Sequence, residues 1–225
     1  MSDGRGRIWA RRLSEAGLIV VSVFLAVYLE GKAEERSEQE AARLALVQLL
    51  GELRDDAGDF DRIIAKQDSL SRDYDNLRRW LGSEGAYPAD SVGHAILRVT
   101  NENSTLFPRR ASWTTMVSGN QLTALDAPEL VLQLGQLYES TFTRIEYNGR
   151  YYDEGLFALL PNPTVVRWQT LDSQPLAGGP TDRAALASAL EFLHMGWNQW
   201  YRDLLISYRG DVTDAISAVE RYLGI

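Results

Sequence analysis

The sequence predicts an all-α protein: a single N-terminal transmembrane helix continuing into a long-helix antiparallel bundle. Three observations predict it. Residues 16–29, AGLIVVSVFLAVYL, carry no charge and pass directly into the charged stretch EGKAEERSEQE. Three long apolar repeats at helical spacing follow, in the first, middle and last parts of the chain. The segments between them are rich in Gly and Pro, and the one strand-like stretch, TVVRWQTL at 164–171, has no evident pairing partner.

The chain of 225 residues can bury a substantial core. It is 45% hydrophobic and 24% charged, within the globular range. A net charge of -8 argues against nucleic acid as a partner, because that affinity comes mainly from Lys and Arg on phosphates. The pairs Arg78-Arg79 and Arg109-Arg110 are too small to reverse it. The absence of cysteine removes disulfides, thiol catalysis and thiolate metal sites.

The apolar run is about 21 Å of helix, short for a bilayer core. Read back to Ile8 it reaches about 33 Å. Arg11 and Arg12 then lie where their side chains reach the headgroups, and Trp9 and Tyr28 stand as interfacial aromatics. Leu18, Ile19, Val20, Val21, Val23, Phe24, Leu25, Val27 and Leu29 make the run apolar on every side, unlike a helix packed on a soluble core. No small-residue cleavage site follows, which points to an uncleaved anchor. Arg5, Arg7, Arg11 and Arg12 precede the span, and five glutamates between Glu30 and Glu40 follow it. Positive charge stays inside, so the N-terminus is expected in the cytoplasm and the bulk in the periplasm, at a bacterial inner membrane. The expected units are a cytoplasmic tail (1–15), a span (16–29, or from 8), a solvated charged stalk (30–45) and a helical extracytoplasmic domain (46–225).

Leu46, Leu50, Leu53, Ala57, Phe60 and Ile64 form one helix face, which Leu70, Tyr74, Leu77 and Leu81 resume after a slip near Gln67. Gly51 and Gly58 permit a bend. Residues 82–90 read as loop, 91–99 as a short helix and NENSTLFP as a connection. A short helix over 111–118 is expected to end at Gly119 in a left-handed cap. Asp126 is the expected N-cap of the middle helix, with Pro128 and Glu129 in its first turn. That helix carries Leu130, Leu134, Leu137, Thr141, Ile145, Tyr152 and Leu156 on one face, and Pro161 and Pro163 stop it. Thr181 or Asp182 caps the last helix, which repeats at Leu186, Leu190, Leu193, Trp197, Trp200 and Leu204. Its face then drifts to Tyr208, Val212, Ile216, Val219 and Leu223, with Gly210 as a point where it can kink.

The stretch WTTMVSGNQLTALDAPELVLQLGQLYE holds an aromatic residue, then SG, then a Leu- and Tyr-rich helix. Through Trp113, Met116, Ser118, Gly119, Leu122, Leu125, Leu130, Leu134, Leu137 and Tyr138 it resembles an uncharacterised bacterial family of unknown function. The resemblance covers roughly residues 10–160. It implies one N-terminal membrane span, a charged helical stalk and a helical extracytoplasmic domain, and no known activity. The chain has YLEGKAEER where that family often carries an Asn-Trp-Asn type sequence after the span.

Nothing in the sequence carries a catalytic set. Glu191 and His194 are spaced i, i+3, as in di-iron bundles, but His94 has Ser91 in the corresponding place and the second motif is missing. No nucleophile elbow or phosphate loop occurs. No cofactor and no metal are expected. Trp197, Trp200 and Tyr201 read first as bundle core at helical spacing, and whatever part of them stays exposed suits a protein interface. The expected function is a non-catalytic accessory or scaffold subunit of a larger membrane complex, respiratory or photosynthetic assemblies among the candidates. Its partners would be the membrane and other subunits, with a homo-oligomer compatible. The alternative is a periplasmic sensor or signalling adaptor, and a third reading is a membrane-tethered hydrolase.

Overall fold

The computed structural model describes the backbone of residues 3–82, 89–101, 104–159 and 180–225, and the side chains of 22, 24–82, 93–100, 104–158 and 183–225. Among the described residues the chain is all helical, without a strand. The helices are α1 (Asp3–Gly82), α2 (Ala89–Asn101), α3 (Ala111–Ser118), α4 (Pro128–Gln136), α5 (Phe142–Leu159), α6 (Pro180–Leu193) and α7 (Trp200–Leu223). The strand-like stretch at 164–171 and the capping residues Thr181 and Asp182 fall outside the described backbone or side chains.

Helix α1 is unbroken over 80 residues, about 120 Å. It runs through Gly51 and Gly58 without interruption. From residue 24 to 41 every side chain is exposed, and packing begins at Ala42. From there the buried seam is Ala42, Leu46, Leu49, Leu53, Asp56, Phe60, Ile63, Gln67, Leu70, Tyr74 and Leu77. Its steps alternate four and three without a break, the 3.5-residue period of a helix packed lengthwise on another. The slip expected near Gln67 does not exist. Gln67 and Asp56 are themselves seam residues, and a reading that counted only apolar side chains stepped around both. Leu50, Ala57, Ile64 and Leu81 flank the seam.

Side-chain contacts advance along α1 as they retreat along α6 and α7. Arg78 meets Glu191, Ser71 meets Asn198, Asp68 meets Arg202, Asp61 meets Arg209, Arg54 meets Glu220, and Arg43 reaches the Leu223 carbonyl at 2.6 Å. Between α6 and α7 the helix widens into a π turn, His194–Gln199. A second π turn, Leu137–Thr141, joins α4 to α5. A π turn adds a residue to the helix and rotates everything after it. Hence Tyr201 and Leu205 are fully buried, while Trp200 is 41% exposed and Leu204 only half-buried. The expected face through Trp200 and Leu204 is displaced by one residue. Gly210 leaves α7 uninterrupted.

Residues 104–110, expected as a simple connection, form an extended strap along α1. Gln67 Nε2 donates to the Ser104 carbonyl at 3.1 Å, and the Arg109 N–H donates to Asp56 Oδ2 at 3.1 Å. Ser112 N–H and Oγ both donate to Glu52. Eleven residues of helix rise about 16.5 Å, and five extended steps cover about the same length. The strap therefore lies flat on α1 between these two anchors, and buries Leu106.

Two cap expectations fail. Gly119 has φ -85°, and the left-handed residue is Asn120 at φ 54°. Gln121 N–H donates to the Met116 carbonyl and Asn120 N–H to that of Val117, a Schellman closure with Asn in the glycine place. Asp126 is likewise left-handed, at φ 49°, and Ala127 is the N-cap of α4. Asp126 turns the chain, and its side chain makes no capping bond. Among the described residues no helix is long and apolar enough to cross a membrane. The anchor expected over 8–29 lies largely on residues whose side chains are outside the description, including Trp9, Arg11, Arg12, Leu18, Ile19, Val20, Val21 and Val23.

Candidate functional site

The π turn at His194–Gln199 has two chemically opposite sides. Its inner side carries His194 and Asn198, both buried. Asn198 Nδ2 donates to the Gln67 side-chain oxygen and, at 3.3 Å, to the Gln67 carbonyl. Asn198 Oδ1 accepts from Ser71 Oγ at 2.7 Å and faces His194 Nδ1 at 3.3 Å. Gln199 Nε2 lies 2.9 Å from His194 Nε2. The neutral imidazole with its proton on Nδ1 satisfies both contacts, donating to Asn198 and accepting from Gln199. Tyr152 donates to Gln67 Oε1 at 3.4 Å. The Tyr74 ring lies over His194 at 4.8 Å between centroids. Tyr152 stacks on Tyr201, whose hydroxyl accepts the Leu106 N–H at 2.8 Å. Burial raises the Tyr152 hydroxyl to about 12 and pushes those of Tyr201 and Tyr74 up as well. The phenols stay neutral, and the knot joins α1, the strap, α5 and α7 through matched donors and acceptors.

A second polar seat lies eleven residues earlier in the α1 seam, at Asp56. Asp56 is fully buried in the α1 seam and accepts from Arg109 Nη1 at 2.6 Å as well as from its N–H. Arg109 Nη1 also donates to Asp59 at 3.0 Å. Desolvation raises Asp56 to about 6 against the lowering by Arg109, because burial outweighs a partner that is itself 40% exposed. Arg110 binds Glu146 and the Tyr138 carbonyl. This basic pair is thus consumed inside the fold.

The outer side of the π turn is aromatic. Tyr147 and Tyr151 of α5 line up with Trp197 and Trp200 at centroid steps of 6.0, 5.5 and 6.2 Å. With Asn148, Met195 and Gly196 they line an open groove of about 460 Å³. Tyr147 is 64% exposed, and Phe192 lies edge-on to Trp197 beside the groove. Gly155 seats Trp197: a Cβ there would lie 3.1 Å from the indole. The Trp197 Nε1 is enclosed and makes no hydrogen bond among the described residues.

Of the expected interface residues, the structure brings Trp197 and Trp200 to this groove. Tyr201 is corrected: it points inward to the strap, because the π turn places it one residue further round the helix. Tyr147 and Tyr151 were missed, since the middle helix was read only for its buried face. The Glu191–His194 pair does not converge. Glu191 lies 3.7 Å from Arg78, and His194 turns into the knot. Among the described residues no group of three or more metal-ligating side chains occurs.

The sequence falls within a described family over most of these features. Residues 15–161 match a family of unknown function (DUF6090), and the chain belongs to it. The match takes in α1 from residue 15, the strap, and α2 to α5, while Trp197 and Trp200 lie beyond it. No curated protein and no solved structure matches the chain.

Proposed function

We propose, from this membership and geometry, that the protein is a non-catalytic single-span accessory or scaffold subunit of a bacterial membrane complex. In this reading the N-terminus is cytoplasmic, the span covers residues 16–29 or starts at 8, and an antiparallel bundle stands in the periplasm on a helical stalk. One observation carries it. Phe24, Leu25, Val27, Tyr28 and Leu29 are 56–72% exposed, and among the described side chains of α1 none is buried before Ala42. Five large apolar side chains with none of the described residues over them call for an apolar solvent, each gaining about 1.5–3 kcal/mol on full burial. The opposed contacts of α1 with α6 and α7 support the bundle. The aromatic groove is its docking surface, since exposed Trp and Tyr are the usual anchors of protein contacts.

Purification of the full chain in mild detergent is expected to bring down other subunits in fixed ratio. Trp200→Ala is expected to release them while the chain stays in the membrane fraction. A periplasm-only reporter fused after Ile225 is expected to be active. Extraction of the intact chain by alkaline carbonate, or recovery of a free monomer alone, overturns the reading. The unbroken α1 favours a second reading, a periplasmic sensor or signalling adaptor, because a continuous helix transmits rotation from bundle to membrane. A melting-temperature shift with a small periplasmic solute, without any co-isolated subunit, selects it.

A further inference from the structure

We infer that the strap carries a proton-controlled latch: residues 107–109 open away from α1 when Asp56 ionises, while the strap stays fixed on both sides of them. The placement of the tethers points to this. Leu106 is buried and donates its N–H to the Tyr201 hydroxyl at 2.8 Å. Arg110 donates to Glu146 and to the Tyr138 carbonyl, both at 2.9 Å. Between these fixed points Phe107 is 67% exposed, and Pro108, though buried, has no N–H to give. Among the described residues every hydrogen bond of 107–109 comes from Arg109, and its N–H bonds Asp56 alone. The segment is held at one point.

That point works against burial. Asp56 is fully enclosed, and its partner guanidinium is 40% exposed. Three carboxylates of α1 face that one group: Asp56 at 2.6 Å, Asp59 at 3.0 Å and Asp55 at 3.9 Å. Tyr138, in the π turn over 137–141, adjoins the same seat: burial raises its hydroxyl, and the charges of Asp56 and Glu52 raise it further. This hydroxyl is enclosed and makes no hydrogen bond among the described residues. Arg110 beside it is bound by Glu146, and Asp211 of α7 accepts from Thr141. The closed seat thus holds a desolvated carboxylate and a stranded donor, and water admitted on release serves both. Ionisation makes closure costlier, since a charge loses more than a neutral carboxyl on leaving water. Desolvation holds Asp56 at about 6 when closed, against its ordinary 3.8. By linkage this group favours closure fully below 3.8, and that advantage is lost as pH rises through 6. Asp59 titrates below its usual value and stays ionised across this window, so it does not reverse the sign. The helix that carries the apolar run thereby has a contact with the bundle that answers to proton concentration.

Amide hydrogen exchange of the full chain in detergent, read by NMR as protection factors at pH 5 and pH 7.5, is the test. With Asp56 at about 6 closed and 3.8 open, protection of Arg109 is expected to fall about tenfold over that interval. Protection of Leu106 is expected to hold. Asp56→Asn is expected to abolish the pH dependence at Arg109, and Asp59→Asn to keep it. Equal protection of Arg109 at both pH values overturns the inference. So does a parallel fall at Leu106, which would report opening of the whole strap. Persistence of the fall in Asp56→Asn, or its loss in Asp59→Asn, assigns it to another group and also overturns the inference. The contrast between the two amides is read in the parent chain, so the decision does not depend on either variant folding.

Discussion

Asp56 and Gln67 occupy equivalent places in one helical seam, eleven residues apart, and each holds one part of the same strap. They differ in what surrounds their partners. Gln67 is tied to Asn198, Tyr152 and the Ser104 carbonyl, all within the protein, by neutral hydrogen bonds. Asp56 is tied to an arginine whose side chain is 40% exposed, by a charged contact. A neutral network relies on every member being matched, because a stranded group inside has no water to turn to. An ionic contact with one foot in solvent can fail on one side only. The cost then falls on the enclosed carboxylate.

This difference orders the expected losses. Asn198→Leu should be the largest. It leaves Ser71 Oγ and His194 Nδ1 without their shared acceptor and takes one of two donors from Gln67 Oε1, at about 4 kcal/mol, measured by urea unfolding. A loss below that of Arg109→Ala would break the comparison.

Arg109→Ala comes next, at about 3 kcal/mol at pH 7.5, the scale for a buried charge left without its partner. Its pH dependence has a definite sign. Asp56 titrates at about 6 in the fold, above its ordinary value of 3.8, so this group contributes less stability as pH rises between those values. Below that window the carboxyl is neutral and has little need of Arg109. Removing the arginine raises Asp56 further. The variant should therefore lose more stability, relative to the parent, at pH 7.5 than at pH 5. Asp59, which Arg62 and Arg109 hold below its usual value, is ionised at both and does not reverse this sign. Unfolding at the two pH values checks it, and equal losses would show that desolvation of Asp56 is not the governing effect.

Tyr201→Phe should be the smallest, about 1.5 kcal/mol, the cost of leaving one buried N–H, that of Leu106, without an acceptor. Hydrogen exchange at Leu106 should rise while exchange elsewhere in the strap changes little, because Gln67 and Asp56 still hold its two ends.

Much of this was legible beforehand. The all-α character, the segment 111–118 and the middle helix follow from apolar spacing and from Gly and Pro placement, while the continuity of α1 through Gly51 and Gly58 was left open by the sequence. Three features were not. The seam of α1 was traced around Asp56 and Gln67, because a polar residue in a seam is recognisable only with its partner in view, and Arg109 and Asn198 are far away in sequence. The strap looked like loop, since its backbone is satisfied by side chains rather than by a neighbouring strand. The groove was half seen: Trp197 and Trp200 stood out by composition, while Tyr147 and Tyr151 lie off the face for which the middle helix was read.

The sequence alone determined that the chain is helical, that an uncharged run meets a charged stretch, and which apolar residues are available for a core. Those are consequences of local spacing and side-chain chemistry. Tertiary structure decided which side of the last helix faces inward. Six residues from His194 to Gln199 wind as a π turn, and that wider turn carries Tyr201 into the core and leaves Trp200 outside. A period counted along the chain cannot register one added residue in a turn, because nothing local demands it; the matching of Asn198 to Gln67 across two helices does.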